Sequence, residues 1–479
     1  MYSERALDWI CTSTKANAAP MPQMKVSVTP KATAPVECAA NAIRNPSNVS
    51  AVKIQRITLS AETGPGSAVN ATRIPRAPCH ANDSLSGERR KRIHVRLVAF
   101  AETGAAHSAT MTASNIPVLT APLSKPLKGR GSLSNPEGRF EKTVRRGEDD
   151  GWVGDQEPGM KPKPVTAVTD ERARSIISRN DSPDVPFEQS INPYRGCEHG
   201  CTYCFARPSH AYLNLSPGLD FETRLFAKIN AAEQLRKELT RSGYACAPIN
   251  IGANTDPYQP AEREYQITRS ILEVLLEARH PCTIVSKNAL VERDLDLLVP
   301  MAQQQLVHVF ISCAHLDNRL AAKLEPRASA PHRRIQAIKN LSEAGVPCGV
   351  LVAPIIPALN DRELEHVLQA AAEAGAKVAG YTTLRLPHEL KQLFREWLAA
   401  HVPQRAEHVM SLVQQMNGGR DYDADFRTRM HGQGAFAQLI ARRFEVACTK
   451  FGYARRGGLE LDCTRFAPPH RPSPQGQLF

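Results

Sequence analysis

Residues 192–208 read NPYRGCEHGCTYCFARP. Cys197, Cys201 and Cys204 stand there in a C-x3-C-x2-C spacing, with an aromatic, Tyr203, between the last two. Thiolates this close in sequence can wrap one face of an iron–sulfur cube, whose irons take cysteine sulfur as their usual ligand. One iron then keeps no protein ligand, and a small molecule offering an amine and a carboxylate can chelate it and be reduced by one electron. A structural zinc site usually calls for four ligands in paired groupings, and His199 is the fourth donor available locally. A disulfide needs an oxidising compartment, for which nothing in the sequence argues. The spacing and its flanking residues favour the cluster.

Outward from this stretch, short apolar runs alternate with longer helical segments, the signature of βαβ units and a parallel sheet. The pattern predicts a first strand over 190–195 that feeds the cysteine loop, and a helix over 223–241. Strands follow over 249–252, 283–286, 307–312, 349–353 and 377–384. Helices are expected over 266–277, 292–299, 332–344, 361–374 and 388–400, with Ile267, Ile271, Val274 and Leu275 sharing one face of the first of these. Six βα units suit a partial barrel occupying residues 190–400.

Parallel barrels collect their chemistry at the carboxyl ends of the strands. Past the second strand come Asn254, Thr255 and Asp256, which turn and capping chemistry alone would explain but which also face the cluster opening. The third strand ends in Ser286 and Lys287, the lysine suited to meet a ligand carboxylate as a point charge. After the fourth come His315, a lone histidine without a visible partner, and Arg327, whose fork fits a carboxylate or ribose hydroxyls. The fifth ends in the apolar turn Ala353–Pro357, better suited to lining a pocket than to acid–base work. Arg385, past the sixth, is a candidate anion contact.

Residues 111–189 read as an irregular arm, punctuated by Pro126, Gly129, Gly131, Pro136 and Gly138. Its Lys128 and Arg130 suit a solvated surface better than a phosphate contact. Residues 401–479 form a helical extension, with helices over 407–415 and 435–451. The loop between them carries Arg420, Asp421, Tyr422, Phe426, Arg427 and Arg429, and is read as packing against the open side of the barrel. The end, from Pro468, is expected to fray.

Residues 1–110 hold neither the helical nor the strand period. They read as a disordered extension, or as untranslated text upstream of a start at Met111. The chain carries a formal charge of +12, and about +7 of it falls in this stretch, so the total says little about a binding face. No apolar run is long enough to span a membrane, and the first thirty residues lack the pattern of a secretory signal. Twelve cysteines without a regular framework suit a reduced, cytoplasmic setting.

These motifs together resemble the radical S-adenosylmethionine superfamily, in the subgroup related to spore photoproduct lyase and described as DNA-repair-photolyase-like. The matching text runs from PLKGRG at Pro126 through SINPYRGCEHGCTYCFARPSHAYLNLSPGLDFET, NIGANTDPYQPAEREYQITRSILE, LEPRASAP and GVLVAPIIPALND to the closing GQLF. The resemblance implies a partial (β/α)6 barrel, a [4Fe–4S] cluster on Cys197, Cys201 and Cys204, and S-adenosylmethionine on the fourth iron with Tyr203 by its adenine. Reductive cleavage would give methionine and a 5′-deoxyadenosyl radical, which abstracts hydrogen from a substrate. Asn254, Asp256, Ser286, Lys287 and Arg327 join Tyr203 as candidate cofactor contacts, and the implied partners are a one-electron donor such as flavodoxin or ferredoxin, and DNA.

The chain also departs from the subgroup. The hydrogen-donating cysteine of spore photoproduct lyase has no clear match among Cys246, Cys282, Cys313 and Cys348, and Ala314-His315-Leu316 stands where relatives more often show Thr-Thr-Leu. A nucleic-acid lesion therefore leads as substrate, with a peptide or small metabolite as the enzymatic alternative. A cluster- or zinc-bearing nucleic-acid binding protein is the non-enzymatic one.

Overall fold

The computed structural model describes residues 10–12, 126–141, 165–453 and 460–469. Its strands are β1 (Ile10–Thr12), β2 (Ala167–Glu171), β3 (Ile177–Arg179), β4 (Gln189–Ile191), β5 (Tyr194–Arg195), β6 (Arg224–Lys228), β7 (Ile249–Ile251), β8 (Cys282–Ser286), β9 (Val307–Ser312), β10 (Cys348–Ile355) and β11 (Val378–Thr383). The main sheet runs β1-β11-β10-β9-β8-β7-β4-β3. From β4 through β7 to β11 every neighbouring pair is parallel, so six strands lie side by side in chain order, as a partial barrel requires. β3 closes one edge and β1 the other, both antiparallel.

The apolar runs decide this arrangement. Every residue of β9 is buried, because a parallel strand is covered on both faces and so reads as a continuous apolar run. The helix Ile267–Glu277 turns Ile267, Ile271, Val274 and Leu275 inward as its period predicts. The helix Pro331–Glu343 opens on a proline, which at a first helical position forfeits no hydrogen bond. Most of the remaining boundaries fall within a few residues of expectation.

Three expectations are corrected. The strand expected over 190–195 is two strands in different sheets, interrupted at Asn192-Pro193: Pro193 has no N–H to give, and the Asn192 side chain accepts from the backbone N–H groups of Asn254 at 2.8 Å and Thr255 at 3.3 Å. The helix expected over 223–241 is instead the end of a short helix at Thr223, then β6, whose alternate residues Leu225 and Ala227 are buried, and then a helix over Ala231–Leu239. Here the local two-residue alternation outweighs helix propensity. The arm expected to be irregular carries β2, which pairs parallel to β6 in a second sheet with β5, as well as β3; its residues 126–141 form no regular element.

The extension folds as the helices Ala406–Met416 and Gly434–Lys450. The second buries Ala437, Ile440, Phe444 and Ala447 in the main core, and its Arg443 meets Glu365 at 2.6 Å. Residues 460–469 then run along the amino ends of the strands, tied by Asp462 N–H to the Gln305 carbonyl and Ala467 N–H to that of Ala278, both at 3.0 Å. The expected fraying beyond residue 469, and the reading of residues 1–110 other than 10–12, lie outside the described residues.

Candidate functional site

The cysteine loop is held by one arginine. Arg207, fully buried, donates from Nε to the Cys201 carbonyl at 2.9 Å, from Nη2 to that of Gly200 at 3.1 Å and from Nη1 to that of Gly218 at 2.9 Å. Its charge is met by the equally buried Glu222 at 2.5 Å. Glu222 in turn accepts from the backbone N–H groups of Gly131 at 3.0 Å and Ser132 at 2.7 Å. The segment PLKGRGS thereby lies directly on the cysteine loop. A Cβ on Gly131 would stand 1.7 Å from the Gly200 carbonyl oxygen, so only glycine permits the contact.

A second buried pair backs the other side. Glu325 meets Arg334 and accepts the Tyr203 hydroxyl, while Arg334 also donates to the carbonyls of Ser312 at 3.1 Å and Ser329 at 2.7 Å. Burial alone would raise the Glu325 carboxyl, but the charges of Arg334 and Lys287 outweigh it and hold it at about 2. Burial, with the Glu325 charge, pushes the Tyr203 hydroxyl well above its ordinary value.

A cavity of about 770 Å³ opens against this loop and follows the strands from their carboxyl ends to His308 and Glu460 near their amino ends. Cys197, Cys201 and Cys204 all line it, with Tyr203, Asn254, Asp256, Ser286 and Lys287. Lys287 donates to Ser312 Oγ at 2.7 Å and its Nζ stands 5.9 Å from the Tyr203 ring centroid. Asp256 is fully engaged by protein: it accepts from Ser286 Oγ at 2.8 Å, Lys287 N–H at 2.7 Å and Tyr258 N–H at 2.9 Å, and lies 3.3 Å from His199 Nδ1. Its place is to position Ser286 and Lys287.

Other sequence candidates fall elsewhere. Arg327 does not line the cavity; it turns to Glu198 at 3.1 Å, and the residues of its segment that reach inward are Glu325 and Arg334. His199, the local zinc donor, has its two ring nitrogens taken by Asp256 and, at 3.3 Å, Asn288. His315 is buried away from the cavity with neither ring nitrogen hydrogen-bonded, and burial lowers its pKa. Cys282, Cys313 and Cys348 are buried in the barrel core. From the extension, Arg429 and Met430 join the cavity wall, with Arg429 paired to Asp184 across the open side. Sequence reading placed that loop on the barrel but not its residues in the cavity, and it gave no role to Arg207, Glu222, Glu325 and Arg334; the first three stand within the quoted motifs, but no spacing there shows that they pair as buried charges.

The donor set fits an iron–sulfur cube. Three thiols share one cavity, none is in a disulfide, and burial pushes each above its ordinary pKa; metal coordination is what renders such thiols anionic. Among the described residues no three His, Cys, Asp or Glu side chains converge on a single ion position, which a mononuclear zinc site needs.

Residues 191–371 match the Radical SAM superfamily. An uncharacterized protein of Mycobacterium tuberculosis is 38% identical over 230 residues, 48% of this chain and 68% of the relative. An uncharacterized protein of Acidianus two-tailed virus is 30% identical over 245 residues, 49% of this chain and 77% of that one. The chain belongs to the radical SAM superfamily and is an enzyme of that class. Among solved structures, spore photoproduct lyase complexed with dinucleoside spore photoproduct superposes with a TM-score of 0.40 at 15% identity, over 59% of this chain and 79% of that one. SuiB of Streptococcus suis bound to its precursor peptide gives 0.31 at 13%, over 56% and 48%. No described helix is long and apolar enough to cross a membrane.

Proposed function

We propose that Cys197, Cys201 and Cys204 anchor a [4Fe–4S] cluster and that the cavity beside them takes S-adenosylmethionine. When bound, these groups supply reductive cleavage to methionine and a 5′-deoxyadenosyl radical, with the electron coming from a donor such as a flavodoxin or ferredoxin. The protein contributes orientation and exclusion of water. Lys287, whose ammonium meets a hydroxyl and an aromatic ring rather than a carboxylate, offers a point charge to the methionine carboxylate. Asp256 and Ser286 fix the turn that carries it, and Asn254 stands at the cavity wall with its N–H tied to Asn192. Arg327 reaches this site only through Glu198 and the backbone beside His199.

The carrying observation is that the three cysteines open onto the same cavity as the strand-end residues of β7 and β8. A nucleic-acid lesion is the substrate class we favour, on the motif resemblance, in a reducing cytoplasmic setting. The test is anaerobic: the protein is reconstituted with iron and sulfide, reduced with dithionite and given S-adenosylmethionine. 5′-Deoxyadenosine that forms with the wild type and is lost in Cys201→Ala supports the reading. A fully loaded cluster that yields none, with or without DNA, refutes it.

A further inference from the structure

Arg385 lies two residues beyond β11, at the same end of the barrel as the cysteine loop, and lines the cavity. The other arginines of this region are answered by acids: Arg207 by Glu222, Arg334 by Glu325, Arg429 by Asp184. Among the described residues no carboxylate pairs with Arg385. Its Nη1 reaches only the Met430 sulfur at 3.5 Å, a weak acceptor. Its Nε is buried without a partner. A guanidinium is permanently charged, and leaving its buried N–H groups unpaired is costly.

The edge made of the buried, unpartnered Nε and of Nη2, which donates to no protein acceptor among the described residues, is the side of the fork that holds two oxygens of one oxyanion. Beside it the Phe205 ring, 43% exposed, lies with its centroid 4.9 Å from the Arg385 Cζ and also lines the cavity. A free cation joined to an exposed aromatic ring combines the two contacts by which proteins hold a single nucleic-acid strand, a charge for the backbone and a flat surface for the base. A carboxylate ligand would use the cation alone and leave the ring without a role.

We infer that Arg385 and Phe205 form a substrate-anchoring subsite in which Arg385 takes a phosphate oxyanion of a nucleic-acid strand and Phe205 stacks the adjoining base. This rests on the nucleic-acid reading of the substrate given above. The subsite lies on the opposite flank of the sheet from Lys287, since β11 and β8 are separated by β10 and β9, so substrate and S-adenosylmethionine carboxylate are met by different cations.

The experiment measures binding of two fluorescein-labelled trithymidylates to the reconstituted full chain by anisotropy, one with phosphodiester and one with uncharged methylphosphonate linkages. Wild type is expected to prefer the phosphodiester. Arg385→Gln should weaken that probe by about ten-fold or more and leave the methylphosphonate probe unchanged, Arg385→Lys should fall between, and Phe205→Leu should weaken both probes alike. Wild type without the preference, or Arg385→Gln weakening both probes or neither, overturns the subsite. Thermal melting excludes misfolding, and the lysine variant, which keeps the charge and loses the fork, decides the matter if Arg385→Gln does not fold. 5′-Deoxyadenosine formation by the same wild-type preparation reports the radical chemistry separately, so either reading can fail without the other.

Discussion

Arg207 and Glu222 meet at 2.5 Å with neither side chain exposed, and between them they tie the cysteine loop to the arm that precedes the barrel. Four carbonyls of the loop and its neighbourhood, those of Gly200, Cys201, Pro217 and Gly218, end on Arg207, and two N–H groups of the arm end on Glu222. Removing one partner leaves a buried charge uncompensated, which costs about 3–5 kcal/mol. Arg207→Met and Glu222→Leu should each lower the unfolding free energy by that amount and reduce iron loading. The double variant should recover part of the stability without the iron. Singles that melt like the wild type would contradict this role.

Gly131 carries the arm onto the loop. Gly131→Ala places a methyl where the Gly200 carbonyl oxygen stands, and backbone must move to admit it. The expected result is a loss of about 1–3 kcal/mol, cleavage of the arm by dilute protease and lower iron content. Gly129→Ala tests a different constraint in the same arm, since a Cβ there meets nothing within 4 Å and the strain is that of a left-handed backbone at φ 80°, which Gly131 does not share.

Two charged residues two positions apart should differ. Glu325→Gln strands Arg334 in the interior and should cost about 3–5 kcal/mol by denaturant unfolding. Arg327→Gln removes an arginine whose side chain is 34% exposed but leaves the Glu198 side chain, 6% exposed, without its partner, so an intermediate loss of about 1–3 kcal/mol is expected. Equal losses would show that burial does not set the difference.

His280 predicts an acid limb of stability. Its Nδ1 donates to the Pro281 carbonyl at 3.0 Å and its Nε2 lies 2.9 Å from the Tyr244 hydroxyl. Burial, partly opposed by that carbonyl, lowers its pKa from 6.5 to about 4. The unfolded chain therefore binds this proton below pH 6.5 and the folded chain only near pH 4, so stability falls as pH drops through that window. The contribution is about 3 kcal/mol. His280→Gln should flatten the fall in melting temperature between pH 6.5 and 4; an unchanged slope would discount the residue.

The parallel barrel and the cysteine loop were legible because both are local facts. A C-x3-C-x2-C spacing holds its thiols together whatever surrounds it, and apolar runs at strand length separated by helical periods leave little choice but βαβ units. Strand ends then follow, which is why Asn254, Asp256, Ser286 and Lys287 were found at the cavity. Tertiary structure decided which charges face inward. Arg327 and Arg334 share one segment, and only packing turned the second toward Glu325 and the first toward Glu198. Likewise Gly131 touches Gly200 and Asp184 meets Arg429 across long stretches of chain. Such pairings have no period and no motif; burial fixes them, because an interior charge must find its opposite wherever in the chain that residue lies.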